Sequence, residues 1–217
     1  MAGARGRLSS VSFESNMPRF ALDGLAHPIV QAPMAGGPST VAMTVAACEA
    51  GALGFVAAGY LSAEALGDKR VAVRERTAAP FGVNVFAPPT GRADPRSVAR
   101  YTERLRGEAE AYGVALGEPR HDDDGWQDKL ALVRELPVPV VSFTFGCPPA
   151  DTVARLRQEG IAVWVTVTSP VEAAEAAAAG ADALVVQGAE AGGHRGSFRD
   201  GLADVGLLAL LQLRMRR

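Results

Sequence analysis

Six short runs, apolar at nearly every position and each followed by a helix-like segment, constrain this chain more than any other feature. They are PIVQAP (28–33), ALGFVAA (52–58), FGVNVFA (81–87), VPVVSFT (138–144), IAVWVTV (161–167) and DALVVQG (182–188). A strand that is apolar on both faces is covered on both, as in a parallel sheet flanked by helices. Strand then helix, repeated six times, predicts an α/β architecture with a parallel sheet. The punctuation agrees. Ser39 or Thr40 can cap a helix over 39–50, and Gly51 can stop it. A longer polar helix is expected from about Asp94 to Tyr112. Ser169-Pro170-Val171-Glu172 is a capping box with proline at the first helical position. A last helix is expected from about residue 203. The stretch 113–129 breaks the rhythm and reads as a loop. Its Asp122, Asp123 and Asp124 are adjacent rather than spaced as ligands, so they read as solvated and no metal is expected. His121 belongs to the same loop and receives no role.

With 217 residues the chain can bury one substantial core, and a formal charge of −2 gives no general attraction to nucleic acid or anionic membrane. The longest apolar run, VGLLALLQL (205–213), is about half of what a bilayer requires. Residues 1–16 lack the apolar centre of a secretory signal. We expect a flexible tail over 1–17 and a single domain over 18–217. Cys48 and Cys147 lie far apart without metal-ligand company and read as free thiols in a reducing cytoplasm.

In parallel α/β folds ligands gather at the carboxyl ends of the strands. Following each run to its end brings together Ala32, Pro33 and Met34; Asn84; Phe145, Gly146 and Cys147; Thr166, Thr168 and Ser169; then Gln187, Glu190, Gly192, Gly193 and His194. Small residues, amides and one imidazole suit a flat polar ligand held largely by backbone groups. Asn84 and Gln187 are either ligand contacts or satisfied amides of the fold. Glu190 is a helix cap, a loop brace or a catalytic carboxylate. Cys147 has no base beside it in sequence and reads as a small apolar filler rather than a nucleophile. The segment VVQGAEAGGHRGSF (185–198) is the most informative. Four glycines surround His194, and ordering them is costly unless the backbone must approach something closely. An imidazole there can take a proton from carbon if a neighbour stabilises the carbanion.

PIVQAPMAGGPST, GALGFVAAGYL, FGVNVFAP, VSFTFG and above all GADALVVQGAEAGGHRGSF resemble the bacterial nitronate monooxygenases, formerly called 2-nitropropane dioxygenases, from about Phe20 to about Leu211. The resemblance implies a TIM barrel that binds FMN non-covalently. It implies oxidation of alkyl nitronates, and in some members nitroalkanes, to carbonyl compounds and nitrite with O2. Ala32, Pro33, Met34 and Asn84 would lie against the flavin ring. Gln187 and Gly192 would contact the cofactor, and Gly193 would let its backbone come close. His194 would remove the α-proton of a neutral nitroalkane.

The family pattern continues where this chain does not. A (β/α)8 barrel has eight strands and typically about 250 residues. Six strands are legible here, and the two units whose glycine-rich loops hold the FMN phosphate are not among them. No Walker-type or GxGxxG segment replaces them. We therefore expect an incomplete barrel of about six βα units, C-terminally truncated relative to the family. Exposed strand edges and apolar faces would favour self-association and weak FMN binding. Two alternatives stand beside the monooxygenase reading: an FMN-dependent enoyl-acyl-carrier-protein reductase, and an inactive truncated remnant.

Overall fold

In a computed structural model, which describes residues 20–88, 91, 93–199, 201 and 204–212, the apolar runs become an all-parallel sheet. Its strands are β1 (Gly54–Ala57), β2 (Phe81–Phe86), β3 (Val140–Thr144), β4 (Ala162–Val167) and β5 (Ala183–Val186), side by side in chain order. Helices α1 (Val41–Glu49), α2 (Ala63–Arg74), α4 (Trp126–Glu135), α5 (Ala150–Gln158), α6 (Pro170–Ala178) and α7 (Leu207–Leu211) fall before, between and after these strands. Sequential parallel order with helical crossovers is the arrangement of an arc of a (β/α)8 barrel. The expected fold class holds. Residues 89–123 form a second compact unit containing α3 (Pro95–Tyr112). The expected tail over 1–17 lies outside the described residues.

Both faces of β1 to β4 are largely buried, which is why those strands are mainly apolar. Toward the helices, Val83, Val85, Val141, Phe143, Val163 and Val165 join Val45, Leu66, Val133 and Leu156 in one core. Full burial of each such side chain contributes roughly 1.5–3 kcal/mol. The opposite, inner face carries Leu53, Phe55, Val140, Ala162 and Trp164, with Phe20, Leu22 and Leu25 packed against them. Gly82 is glycine because Phe55 crosses it: an added Cβ would lie 2.4 Å from the Phe55 ring.

Three expectations need correction. PIVQAP is not a full strand but a single parallel bridge, Val30 to Leu53. Pro28 and Pro33 supply no N–H, and the Gln31 side chain takes over part of the ladder by accepting from Phe55 N at 3.0 Å. The expected loop over 113–129 contains the start of α4. Trp126, Leu130 and Val133 bury one helical face there, a spacing obscured by the polar text before it. The last helix begins at Leu207 rather than about 203.

The capping predictions hold, with one detail changed. Thr40 Oγ1 accepts from Met43 N at 3.1 Å, and Asp94 caps α3, which ends at Gly113 in the left-handed region. Ser169 Oγ accepts from Glu172 N at 3.2 Å. The Glu172 carboxylate reaches back past Ser169 to Thr168 N, at 2.6 Å. Among the described residues no helix is long and apolar enough to cross a membrane.

Candidate active site at the strand carboxyl ends

The inner face changes character along the strands. Above the apolar layer of Phe55, Val140 and Ala162 lies a band of amide and hydroxyl groups. Asn84 on β2 is paired in register with Ser142 on β3, and its Nδ2 donates to Ser142 Oγ (2.9 Å) and Thr144 Oγ1 (3.0 Å). Thr144 Oγ1 lies 3.3 Å from Thr166 Oγ1 on β4. Asn84 is therefore a buried, partnered amide whose donors serve the sheet. Its backbone carbonyl accepts from Ala58 N at 2.9 Å, and its side-chain Oδ1 has no hydrogen bond among the described residues.

The glycine loop closes over this band. Gln187 Oε1 accepts from Gly196 N at 2.7 Å, and Gln187 Nε2 donates to the His194 carbonyl at 3.1 Å. A Cβ on Gly196 would sit 2.9 Å from Thr166 Cγ2, so glycine lets the loop rest directly on β3 and β4. The far side is held by α6. The Glu172 carboxylate, 1% exposed, accepts from Thr168 N, from Thr168 Oγ1 at 2.8 Å and from Phe198 N at 2.8 Å. Thr168 Oγ1 also meets Ser197 Oγ at 3.0 Å. Glu190 accepts from Leu207 N at 2.9 Å, at the start of α7. Its own backbone amide and that of Leu207 hold its carboxyl below the usual carboxylate range. Of the readings open for Glu190, the brace to α7 is the one the geometry realises.

The loop glycines thus divide. Gly188 and Gly196 are needed by packing inside the chain, since side chains there would strike Glu190, Leu207 or Thr166. Gly192 and Gly193 are not: a Cβ on either meets nothing within 4 Å. Gly36 and Gly37, in the loop after the first bridge, are equally open.

An aromatic rim crosses the same ends. Tyr60 meets Phe86 edge-on at 5.4 Å, Phe86 meets Phe145 at 4.8 Å, and Phe145 meets the His194 ring at 6.4 Å. Tyr60 and Phe145 both have positive φ (65° and 71°), uncommon for bulky residues and usual where structure over-determines a site. Tyr60 N donates to Asp124 Oδ1 at 2.9 Å, and Asp124 Oδ2 lies 2.7 Å from Lys129 Nζ. Asp124, expected to be solvated, is instead part of a buried ion pair that ties α4 to the rim. The loop of Ala32, Pro33 and Met34 is organised by Ser39, whose hydroxyl accepts from Met34 N at 2.8 Å and donates to the Ala32 carbonyl at 3.3 Å. It approaches the rim through Ala35, beside Gly59 and Phe86.

The structure therefore gathers Asn84, Gln187 and His194 on one face, with Gly192 and Gly193 opening onto space there. Sequence reasoning missed Ser142, Thr144, Phe86 and Glu172. A signal for the first two was present, since both break apolar β3 at alternate positions and so share a face. Burial pushes the Cys147 thiol up to about 11, with Glu175 adding to the effect, so it stays protonated and is no nucleophile at neutral pH. Among the described residues no group of three His, Cys, Asp or Glu side chains could hold a metal.

Comparison with known proteins bears on this face. The family model for nitronate monooxygenase matches residues 20–215. The chain belongs to the nitronate monooxygenase family. It is 41% identical over 199 residues to the nitronate monooxygenase of Pseudomonas aeruginosa, covering 88% of this chain and 56% of that protein. It is 38% identical over 199 residues to that of Paraburkholderia phytofirmans, covering 88% of this chain and 53% of that one. Among solved structures it superposes on nitroalkane oxidase from Streptomyces ansochromogenes with a TM-score of 0.81 and 47% identity, covering 88% of this chain and 56% of that one. FabK from Thermotoga maritima is more distant, with a TM-score of 0.58 and 26% identity, covering 85% of this chain and 46% of that one. The chain thus spans about half the length of the nitronate monooxygenases it matches, a family of flavoenzymes.

Proposed function

We propose that the strand-end face binds FMN and oxidises alkyl nitronates or nitroalkanes to carbonyl compounds and nitrite, with O2 as co-substrate. One observation carries this reading. Gly192, Gly193 and His194 present open backbone and one imidazole above a hydrogen-bonded amide and hydroxyl band. The residues fit a flavin ring by their chemistry. The face offers neutral donors and acceptors in Asn84, Ser142, Thr144 and Gln187, and glycine backbone with open space beside it at Gly192 and Gly193. Asn84, Gln187, Ala32, Pro33, Met34, Gly192 and Gly193 are the residues assigned to hold it.

When bound, the flavin supplies the electron transfer from substrate to O2; that chemistry belongs to the cofactor. The chain positions and deprotonates. His194 takes the α-proton of a neutral nitroalkane at an imidazole nitrogen. Gln187 fixes its backbone carbonyl, and the Phe145 edge limits where the ring can turn. The apolar layer of Phe55, Val140 and Ala162 packs the inner face below the polar band.

Flavin titration of the 217-residue chain, followed by FMN fluorescence, tests the first half of the reading. Saturable binding is expected, and its absence in folded protein would overturn it. His194→Asn then separates the steps. Nitroalkane turnover should fall by about 10²–10⁴, the range for loss of a general base. Turnover of a pre-formed nitronate should fall far less. Likeness to FabK keeps a flavin-dependent enoyl reductase as the second reading. Oxidation of a nicotinamide with an enoyl thioester, and none of nitronate, would select it.

A further inference from the structure

At the opposite, amino-terminal ends of β2 and β3, a cavity of about 350 Å³ opens between the last turns of α2 and the segment entering β3. Its walls are Arg70, Arg74, Glu75, Phe81, Leu136 and Val138. Arg70 is 4% exposed, which is rare for a charged side chain. Its NH1 donates to the Leu132 carbonyl at 2.9 Å, and its Nε is buried with no hydrogen-bond partner among the described residues. The Arg74 guanidinium lies over the Phe81 ring at 4.8 Å and donates to the Ala78 and Ala79 carbonyls at 3.3 Å. Among the described residues no carboxylate forms an ion pair with either arginine. Burial and the like charge of Arg74 together push Arg70 down to about 10. A buried guanidinium without a counter-ion is strongly unfavourable, and a carboxylate is the group its planar fork matches. Phe81 and Val138 form the buried floor beneath Arg74, and the apolar lining left open is Val71, Leu136 and Pro137.

We propose that this cavity binds a small carboxylate carried on an apolar, single-ring-sized body, its oxygens received by Arg70 and Arg74 and its body by Val71, Leu136 and Pro137. The volume lies near the lower end for ligand pockets, about 300–1,000 Å³, which suits one ring. Two guanidinium groups and Glu75 leave a net charge of +1 at the cavity, favouring an anion, and phosphate lacks the apolar body that would cover Val71 and Leu136. The site lies at the far end of the strands from His194 and does not rest on the flavin reading.

Equilibrium dialysis of the 217-residue chain against phenylacetate tests this. Its neutral isostere phenylacetamide and inorganic phosphate serve as comparisons. Saturable binding of one phenylacetate per chain is expected, with phenylacetamide and phosphate each at least tenfold weaker. Arg74→Met, at an exposed position, should raise the phenylacetate Kd at least tenfold. Arg70→Met removes a buried group, so its folding is read separately. Phenylacetate should raise the unfolding temperature of the parent chain and leave that of Arg70→Met unmoved. Equal affinity for phenylacetamide or phosphate, an Arg74→Met chain that binds as the parent does, or no binding up to about 10 mM would each overturn the assignment.

Discussion

Glu172 shows how much one side chain can organise here. It is buried, accepts three hydrogen bonds, and joins the end of β4 to the loop that carries His194. Replacing it with alanine strands those donors, and the expected loss is about 3–5 kcal/mol, read by denaturant unfolding. Glu190 is a tie of another kind, exposed and dependent on charge. Its folded pKa lies below its unfolded value, so the contact with Leu207 N contributes fully above the unfolded pKa. It is lost as pH falls through the lower, folded value. The amide shift of Leu207 should therefore hold through the ordinary carboxylate range and move only below it. Cys147 predicts the opposite trend. With its thiol pushed up to about 11, alkylation should be slow at neutral pH and accelerate only as pH approaches that value. Rapid labelling near neutrality would contradict the burial described.

The 188–198 loop supplies the sharpest contrast between elements. Gly196→Ala places a methyl 2.9 Å from Thr166 Cγ2 and forces the loop off β3 and β4. Overpacking of this kind costs about 1–3 kcal/mol, and thermal unfolding should register it. Gly192→Ala meets nothing within 4 Å. It should leave stability within about 0.5 kcal/mol of the parent, yet weaken FMN at least tenfold if the flavin lies where we propose. Unchanged FMN affinity in that variant would place the ligand elsewhere. The start of α4 makes a second case. Asp124→Ala leaves the fully buried Lys129 ammonium without its carboxylate, a loss of about 3–5 kcal/mol. It should also release Tyr60 from the rim. Trp126, Leu130 and Val133 were available to announce this helix. Its neighbours hid it, because Asp122 to Asp124 carry a loop-like composition while Asp124 pairs with a residue one turn into the helix.

For the molecule as a whole, the edge of the sheet is the exposed element. Val185 on β5 is 40% exposed, and Leu208 and Leu211 on α7 are 76% and 61% exposed. Among the described residues no strand pairs with the far side of β5. Association through this edge is expected, so light scattering should give a mass above the 22.5 kDa of one chain. A monodisperse monomer would show that these side chains are tolerated in water.

The parallel sheet was legible in the sequence, and its sequential strand order was implied by the family resemblance. Apolar runs flanked by caps are local signals, and sequential βα units leave few topologies open. The motif around His194 was legible as a unit for the same reason, since its residues are contiguous. Pairings between distant residues were not legible. Asn84 with Ser142, Glu172 with Phe198, Asp124 with Tyr60 and the Arg70–Arg74 cavity each join segments whose separation only the packed sheet removes. The division among the glycines belongs there too: all look alike in sequence. Only the positions of Glu190, Leu207 and Thr166 decide which are filled by the chain itself and which leave room for something else.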